Sequence, residues 1–271
     1  METDPKDNLV LSEVGEWTLE KHERLRRYID ISRKVRQKFN RPDNAGATFI
    51  DLYCGPGRSR ISDTDRIIDG SPVVAYEAAR TAPFTSLHLA DREDEVCAAA
   101  LARVRERGGD AKVYVGPAAE TVDRVCAELS PYALHFAFLD PFSLAALPFS
   151  VIRRLSEFKR MDMLIHVSAM DFQRNLHEFV SGKNPAMDQF APGWRESVNV
   201  AQRQDVVRRE IREYWLDLIR GLDMTPAQGI ELVTGSKKQN LYWLVFVARH
   251  ERAQEFWEKI RDINPQHGLF N

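Results

Sequence analysis

Cysteine is scarce in this sequence, and its placement suggests neither metal nor disulfide chemistry. Cys54, Cys97 and Cys126 stand far apart and form no C-x-x-C pair. That argues against a structural zinc and a disulfide framework, and it fits a reducing compartment. Each thiol reads as a small core or surface residue, and no metal site is expected. The opening Met1-Glu2-Thr3-Asp4-Pro5 has no basic segment and no apolar one, so no secretory signal is expected. The longest apolar run, around residues 241–248, is too short to cross a bilayer. Internal repeats and low-complexity tracts are missing too. The expectation is a cytoplasmic protein with no membrane partner.

What is present suffices for a large core. The 271 residues make one large domain, or one domain with an elaboration, and 44% are apolar. The formal net charge of −2 hides an uneven distribution. Residues 21–41 hold nine Lys or Arg against two acids, Glu23 and Asp30. Within that stretch Leu25, Tyr28, Ser32, Val35 and Phe39 recur at three- and four-residue spacing, which predicts one amphipathic helix capped by Thr18. Its basic face either holds phosphates or is simply solvated. Residues before Trp17 read as polar, irregular and loosely held.

The stretch Phe49-Ile50-Asp51-Leu52-Tyr53-Cys54-Gly55-Pro56-Gly57 predicts a buried strand running into a glycine turn, with an acid at the strand end. Glycines at that spacing allow a tight turn and a close ligand approach, and the layout suits a nucleotide. A dinucleotide site needs a third small residue, and Arg60 stands there instead. A nicotinamide-dependent reductase is therefore the weaker reading. The pattern Asp51-x-x-x-Gly55-x-Gly57 resembles motif I of S-adenosylmethionine-dependent methyltransferases. That resemblance implies S-adenosylmethionine as cofactor, with Asp51 anchoring its sulfonium and amino-acid end and Tyr53, Gly55 and Gly57 passing beside it.

The segment from Arg58 to Asp69 reads as a long polar loop, and Ser71-Pro72 as the start of the next helix. The second strand ends at Asp91-Arg92. Asp91 is placed to accept from a ribose diol, with Asp94 and Glu93 as rivals and a plain helix cap as the alternative. Pro117 stands where methyltransferases often carry an acid that reads adenine. Residues 134–139 form the most continuous apolar strand, which ends Asp140-Pro141-Phe142. This partly resembles the D/N-P-P-Y/F motif of amino-methyltransferases that act on bases, with the second proline missing and Ser143 following. The resemblance implies that Asp140 accepts from a target amine and that Phe142 stacks on the base. A helix-entry turn is the bland alternative.

Beyond a fifth strand, Arg174 could meet a phosphate. Residues 175–200 read as an insertion, and residues 230–234 and 241–249 as an antiparallel hairpin with Lys237-Lys238 at its tip. The expected fold is α/β: a Rossmann-like sheet of parallel strands closed by the C-terminal hairpin. An N-terminal segment, residues 1–46, would precede a domain spanning residues 47–271.

Trp17-Thr18-Leu19-Glu20-Lys21-His22, the glycine motif, Gly70-Ser71-Pro72 and Asp140-Pro141, in this order and spacing, resemble the three-Cys-motif partner family of bacteria and phages. That family is similar to class I methyltransferases and is named for a neighbouring protein that carries three cysteines. Lys21, His22, Arg58, Ser71 and Arg174 are the candidate substrate contacts. The leading expectation is a methyltransferase acting on a nucleic acid base or another phosphate-bearing substrate. The alternative is a non-catalytic adaptor serving the three-Cys protein.

Overall fold

The computed structural model describes residues 2–228, 231–234 and 240–261. Its centre is a sheet whose main strands are β1 (Ala47–Asp51), β2 (Ser86–Asp91), β3 (Lys112–Val115), β4 (Leu134–Leu139), β5 (Met161–Ser168), β6 (Glu231–Thr234) and β7 (Asn240–Ala248). They lie in the order β3-β2-β1-β4-β5-β7-β6. The first five run parallel, and β7 is antiparallel to both β5 and β6. The short piece Thr225–Pro226 pairs with the far end of β7. The expected hairpin is thus present, while Lys237 and Lys238 lie outside the described residues.

Alternation along the strands builds a core on each face. Ile50, Ala137, Met163, Ile165 and Val245 point to one side. Phe49, Phe136, Phe138, Leu164 and Phe246 point to the other. Helices α1 (Thr18–Ile31), α2 (Arg33–Phe39), α3 (Ser71–Ala78) and α4 (Asp94–Glu106) precede β3 in the chain. Helices α5 (Ala118–Cys126), α6 (Phe149–Ser156), α7 (Ala169–Ser181), α8 (Ala186–Phe190), α9 (Trp194–Ser197), α10 (Gln204–Arg220) and α11 (Glu251–Arg261) follow. Residues of α1, α3, α4 and α11 pack into the second core, and those of α5 to α10 into the first. Residues 175–200 hold the end of α7 together with α8 and α9, and Trp194 is fully buried there.

Register aligns the strand ends. Asp51 pairs with Leu89 and Phe138, Leu139 with Ile165, and Asp91 with Val115. Asp51, Asp91 and Asp140 therefore reach one carboxyl edge. There β1 sits between β2 on one side and β4 on the other, the switch point where open α/β sheets form a crevice.

The N-terminal segment departs from expectation. Val10–Val14 is a strand parallel to Arg58–Ile61, flanked by Glu2–Thr3 and Ile67–Asp69, so the presumed loop after the glycine turn is half of a second small sheet. Val10 and Leu11 are buried. The reason is Arg103, a buried residue of α4. Its guanidinium donates to the Asp7 carboxylate (2.8 Å), the Val10 carbonyl (2.8 Å) and the Pro56 carbonyl (2.7 Å). One side chain thus ties the N-terminal strand to the glycine turn. The expected single helix is also divided. Ser32 donates to the Tyr28 carbonyl (2.7 Å), and α1 ends there before α2 begins. Thr18 is the first helical residue and makes no cap hydrogen bond.

Truncating Arg103 to Met leaves Asp7 and two carbonyls without their donor. The expected cost is about 3 kcal/mol, read from the midpoint of urea unfolding. A change below about 0.5 kcal/mol would show that the N-terminal strand is held by other contacts.

Candidate active site

The crevice begins with the glycine turn. Gly55 and Gly57 have φ of +57° and +83°, the left-handed region that glycine adopts without strain. Their roles differ. A Cβ on Gly55 would meet only Ser12 Oγ at 3.9 Å, so that face is open to a ligand. A Cβ on Gly57 would meet the Ala100 backbone of α4 at 3.3 Å. Gly57 therefore packs closely on α4, while it also lines the second cavity described below together with Gly55. Gly70 donates its N–H to the Gly57 carbonyl (2.8 Å), and a Cβ there would lie 2.9 Å from Gly57 backbone. This contact explains the Gly-Ser-Pro sequence. Gly70 caps α3 through its backbone position, and Ser71 and Pro72 are already inside the helix.

Ser71 is then free to donate to Asp51 Oδ2 (2.6 Å), while the Tyr53 N–H donates to Oδ1 (3.1 Å). Asp51 is fully buried and reaches neither cavity described below, so it acts on the crevice through Ser71 and Tyr53. Burial pushes its carboxyl up to about 7, with Asp140 and Asp91 adding to the rise and the two hydrogen bonds opposing it. Asp91 accepts from the Gly55 N–H (3.1 Å) and the Arg92 N–H (2.7 Å). It is not the cap of α4, which is Glu93. Arg92 is exposed at the same edge.

Two cavities open side by side here. One, of about 410 Å³, is bordered by Asp91, Arg92, Pro117 and Pro148. The other, of about 510 Å³, lies against Gly55, Ser71, Lys21, His22, His166 and Tyr242. Tyr53, Asp140 and Phe142 border both. Phe142 is 74% exposed, an aromatic face standing where the cavities join. Tyr53 is held by donating to the Ala146 carbonyl (2.6 Å).

The second cavity carries the charge. Lys21, on the first turns of α1, reaches Asp140 Oδ2 at 2.5 Å, and both side chains are largely buried. Burial alone would raise the Asp140 carboxyl, but Lys21, by its charge and its hydrogen bond, with the two histidines adding to it, holds the group below the usual range. His22 is pushed down to about 3 by burial and by Lys21. His166, two residues before the end of β5, is pushed down to about 4, mainly by burial. Lys21 adds to that and Asp140 opposes it. Both imidazoles are neutral at pH 7. Tyr242 packs on His166 with ring centroids 4.5 Å apart.

The other predicted contacts lie elsewhere. Arg58 pairs with Asp4 in the small sheet and borders neither cavity. Arg174 is exposed on α7 and borders neither. The basic stretch is largely spent on the fold. Lys21, Arg24 and Arg36 are buried, Arg26 and Arg27 pair with Glu23 on α1, and Arg33 of α2 pairs with Asp30 at the end of α1. The exposed Lys34 and Lys38 stand on α2 and border neither of these cavities. A further cavity of about 270 Å³ opens at the opposite, amino edge between Tyr28, Phe39, Phe136 and Phe256, with none of the acids or glycines of the crevice. Among the described residues no group of His, Cys, Asp and Glu could hold a metal ion, and no helix is long and apolar enough to cross a membrane.

His166 and Tyr242 were missed in the sequence. The available signal was one histidine inside the apolar run of β5, at a position whose neighbours alternate between the two cores.

No protein-family model and no curated protein sequence matches the chain. Solved structures do. Protein LPL1258 from Legionella pneumophila superposes with a TM-score of 0.50 at 12% identity, over 88% of this chain and 91% of that one. The methyltransferase domain of bacterial CtHen1 gives 0.44 at 12% identity, over 85% and 99%. An rRNA methylase from Streptococcus thermophilus gives 0.39 at 10%, over 87% and 97%. The fold is a Rossmann-like α/β fold, a mostly parallel sheet closed by an antiparallel pair of strands.

Replacing Lys21 by Met removes the cation from Asp140 and from both histidines. His166 is expected to titrate above about 4, because Asp140 then acts on it unopposed, and His22 above about 3. Stability should fall by about 3 kcal/mol as the Asp140 charge loses its partner. Histidine titration by NMR decides the point, and unmoved values would mean that Lys21 does not face this cavity.

Proposed function

We propose that the chain is an S-adenosylmethionine-dependent methyltransferase whose acceptor is an exocyclic amine of a nucleobase. The observation that carries the reading is the joining of two cavities at Tyr53, Asp140 and Phe142, one beside the strand-end acid Asp91 and one beneath the glycine turn.

The residues suit this cofactor. Gly55 leaves its upper face open, and Asp51, Asp91 and Asp140 surround the crevice with acids that favour a cationic ligand. Asp91 and Arg92 would hold the ribose end, with Pro117 beside the purine. Gly55 and Ser71 would hold the amino-acid end. When bound, the cofactor supplies a methyl group already activated by a positively charged sulfur, which leaves the protein the work of alignment. Lys21 keeps Asp140 ionised, so the carboxylate accepts hydrogen bonds and cannot donate one. That property selects an acceptor substrate carrying N–H or O–H. Phe142 offers an exposed face for a flat base.

Calorimetry should show binding of S-adenosylmethionine and S-adenosylhomocysteine and no binding of NAD. Asp51 titrates near 7, and a cationic ligand favours its ionised form. Affinity for S-adenosylmethionine should therefore rise as pH increases from 6 toward 7 and then level. Asp51→Asn should flatten that rise. Tight NAD binding with no response to either methionine derivative would reject the cofactor. Cofactor binding without methyl transfer to any nucleic acid, together with capture of a protein partner, would move the chain to the adaptor class.

A further inference from the structure

We propose that the cavity at the amino edge of the sheet is a second binding site, for a small apolar anion: one carboxylate, or a similar anionic group, on a flat two-ring body. It lies apart from the crevice. Leu134 and Phe136 at the start of β4 line it, whereas Asp140 follows the other end of that strand, about 20 Å away by strand rise.

The walls are apolar and come from separate parts of the chain. Tyr28 of α1, Phe39 of α2, Phe136 of β4 and Phe256 of α11 form them, with Phe84 beside. Tyr28 spends its hydroxyl hydrogen on Asp162 Oδ2 (2.6 Å), which leaves a ligand its ring and no donor. The space is about 270 Å³. An apolar cavity of about 150 Å³ takes benzene, so this one has room for two fused rings.

The charge around the cavity has one sign. Lys38, Lys159, Arg160 and Arg252 line it and are exposed. They converge from α2, from the turn before β5 and from α11. None of them meets a carboxylate among the described residues; Arg160 donates to the Tyr132 carbonyl (2.8 Å) and lies over the Phe39 ring. Arg36 is buried in the same wall, and its Nε and Nη1 donate to neutral acceptors, the Ala82 carbonyl (3.0 Å) and Ser32 Oγ (2.7 Å). Burial lowers its guanidinium only to about 10, so it adds a positive charge from behind without being touched. Arg249 is offset by Asp223 at 3.6 Å. The one acid in the lining is Asp162, which Tyr28 already occupies and burial pushes up to about 6.

A cleft lined by charge of one sign focuses the field and concentrates ions of the other. A neutral apolar ligand would leave these cations unused, and a polyanion lying across them would leave the aromatic walls unfilled. An apolar anion uses both. Its rings fill the space between Phe39, Phe136 and Phe256, and its head stays among the exposed cations, which donate charge-assisted hydrogen bonds there.

The test titrates the full chain with naphthoate and with naphthamide, its neutral counterpart of the same shape. Calorimetry gives the affinities, and NMR of the aromatic rings gives the place. Naphthoate should bind at least about tenfold more tightly than naphthamide, the difference that hydrogen bonds to a charged group make. Its shifts should fall on Tyr28, Phe136 and Phe256. Lys159→Gln combined with Arg252→Gln, both at exposed positions, should bring the two ligands within about twofold. Val35→Trp, which fills the cavity from α2, should abolish binding of both. No binding of naphthoate, equal binding of the two in the native protein, unchanged affinity after the double charge removal, or shifts at Tyr53 and Phe142 instead would each overturn the proposal. Displacement of naphthoate by a short RNA would make this edge a nucleic-acid surface and overturn it likewise. The native-protein comparison stands even if Val35→Trp fails to fold.

Discussion

Asp140 stays ionised at the carboxyl end of β4 because Lys21 is buried beside it. Burial alone raises the pKa of a carboxyl, and Lys21 offsets that rise. The pair ties the N-terminal helix to the central strand and sets the charge of everything around it. Lys21 pushes both neighbouring histidines further toward their neutral forms. It also leaves Asp140 one oxygen to offer. A buried pair of this kind is weak evidence for stability, since desolvation offsets much of the attraction. Its placement where two cavities join gives it a different use: it fixes the protonation states that substrate meets.

Around this pair the backbone is brought together by close approaches that side chains would prevent. Gly70 rests on Gly57, which rests on α4. Ser71 follows at once and reaches Asp51. Arg103, from the same helix that receives Gly57, bonds to Pro56 and to the N-terminal strand. The glycine turn is therefore clamped from α3, from α4 and from the first residues of the chain. Its open face at Gly55 is what remains for a ligand.

Much of this was legible locally. A strand that ends in an acid and a glycine turn announces itself within nine residues, and Asp51, Asp91 and Asp140 each mark the carboxyl end of a strand. Parallel strands and a closing antiparallel pair follow from alternating units and a hairpin. What the sequence concealed depends on partners far along the chain. The strand Val10–Val14 reads as irregular until Arg58–Ile61 pairs with it. Arg58 looks like a substrate contact until Asp4 meets it. The basic stretch looks like an exposed patch until three of its cations turn out to be buried. His166 looks like a core residue until Asp140 is seen across from it. Charge read along a chain gives composition, and only packing shows which charges remain for a partner.

The most direct measurement of the central claim is a crystal structure with S-adenosylhomocysteine. The purine end should lie in the cavity bordered by Asp91 and Pro117, the amino-acid end beneath Gly55, and the sulfur beside Asp140 and Tyr53, with Lys21 still on Asp140 Oδ2. Ligand found only in the amino-edge cavity near Tyr28 and Phe256, or a crevice that stays empty at saturating ligand, would contradict it.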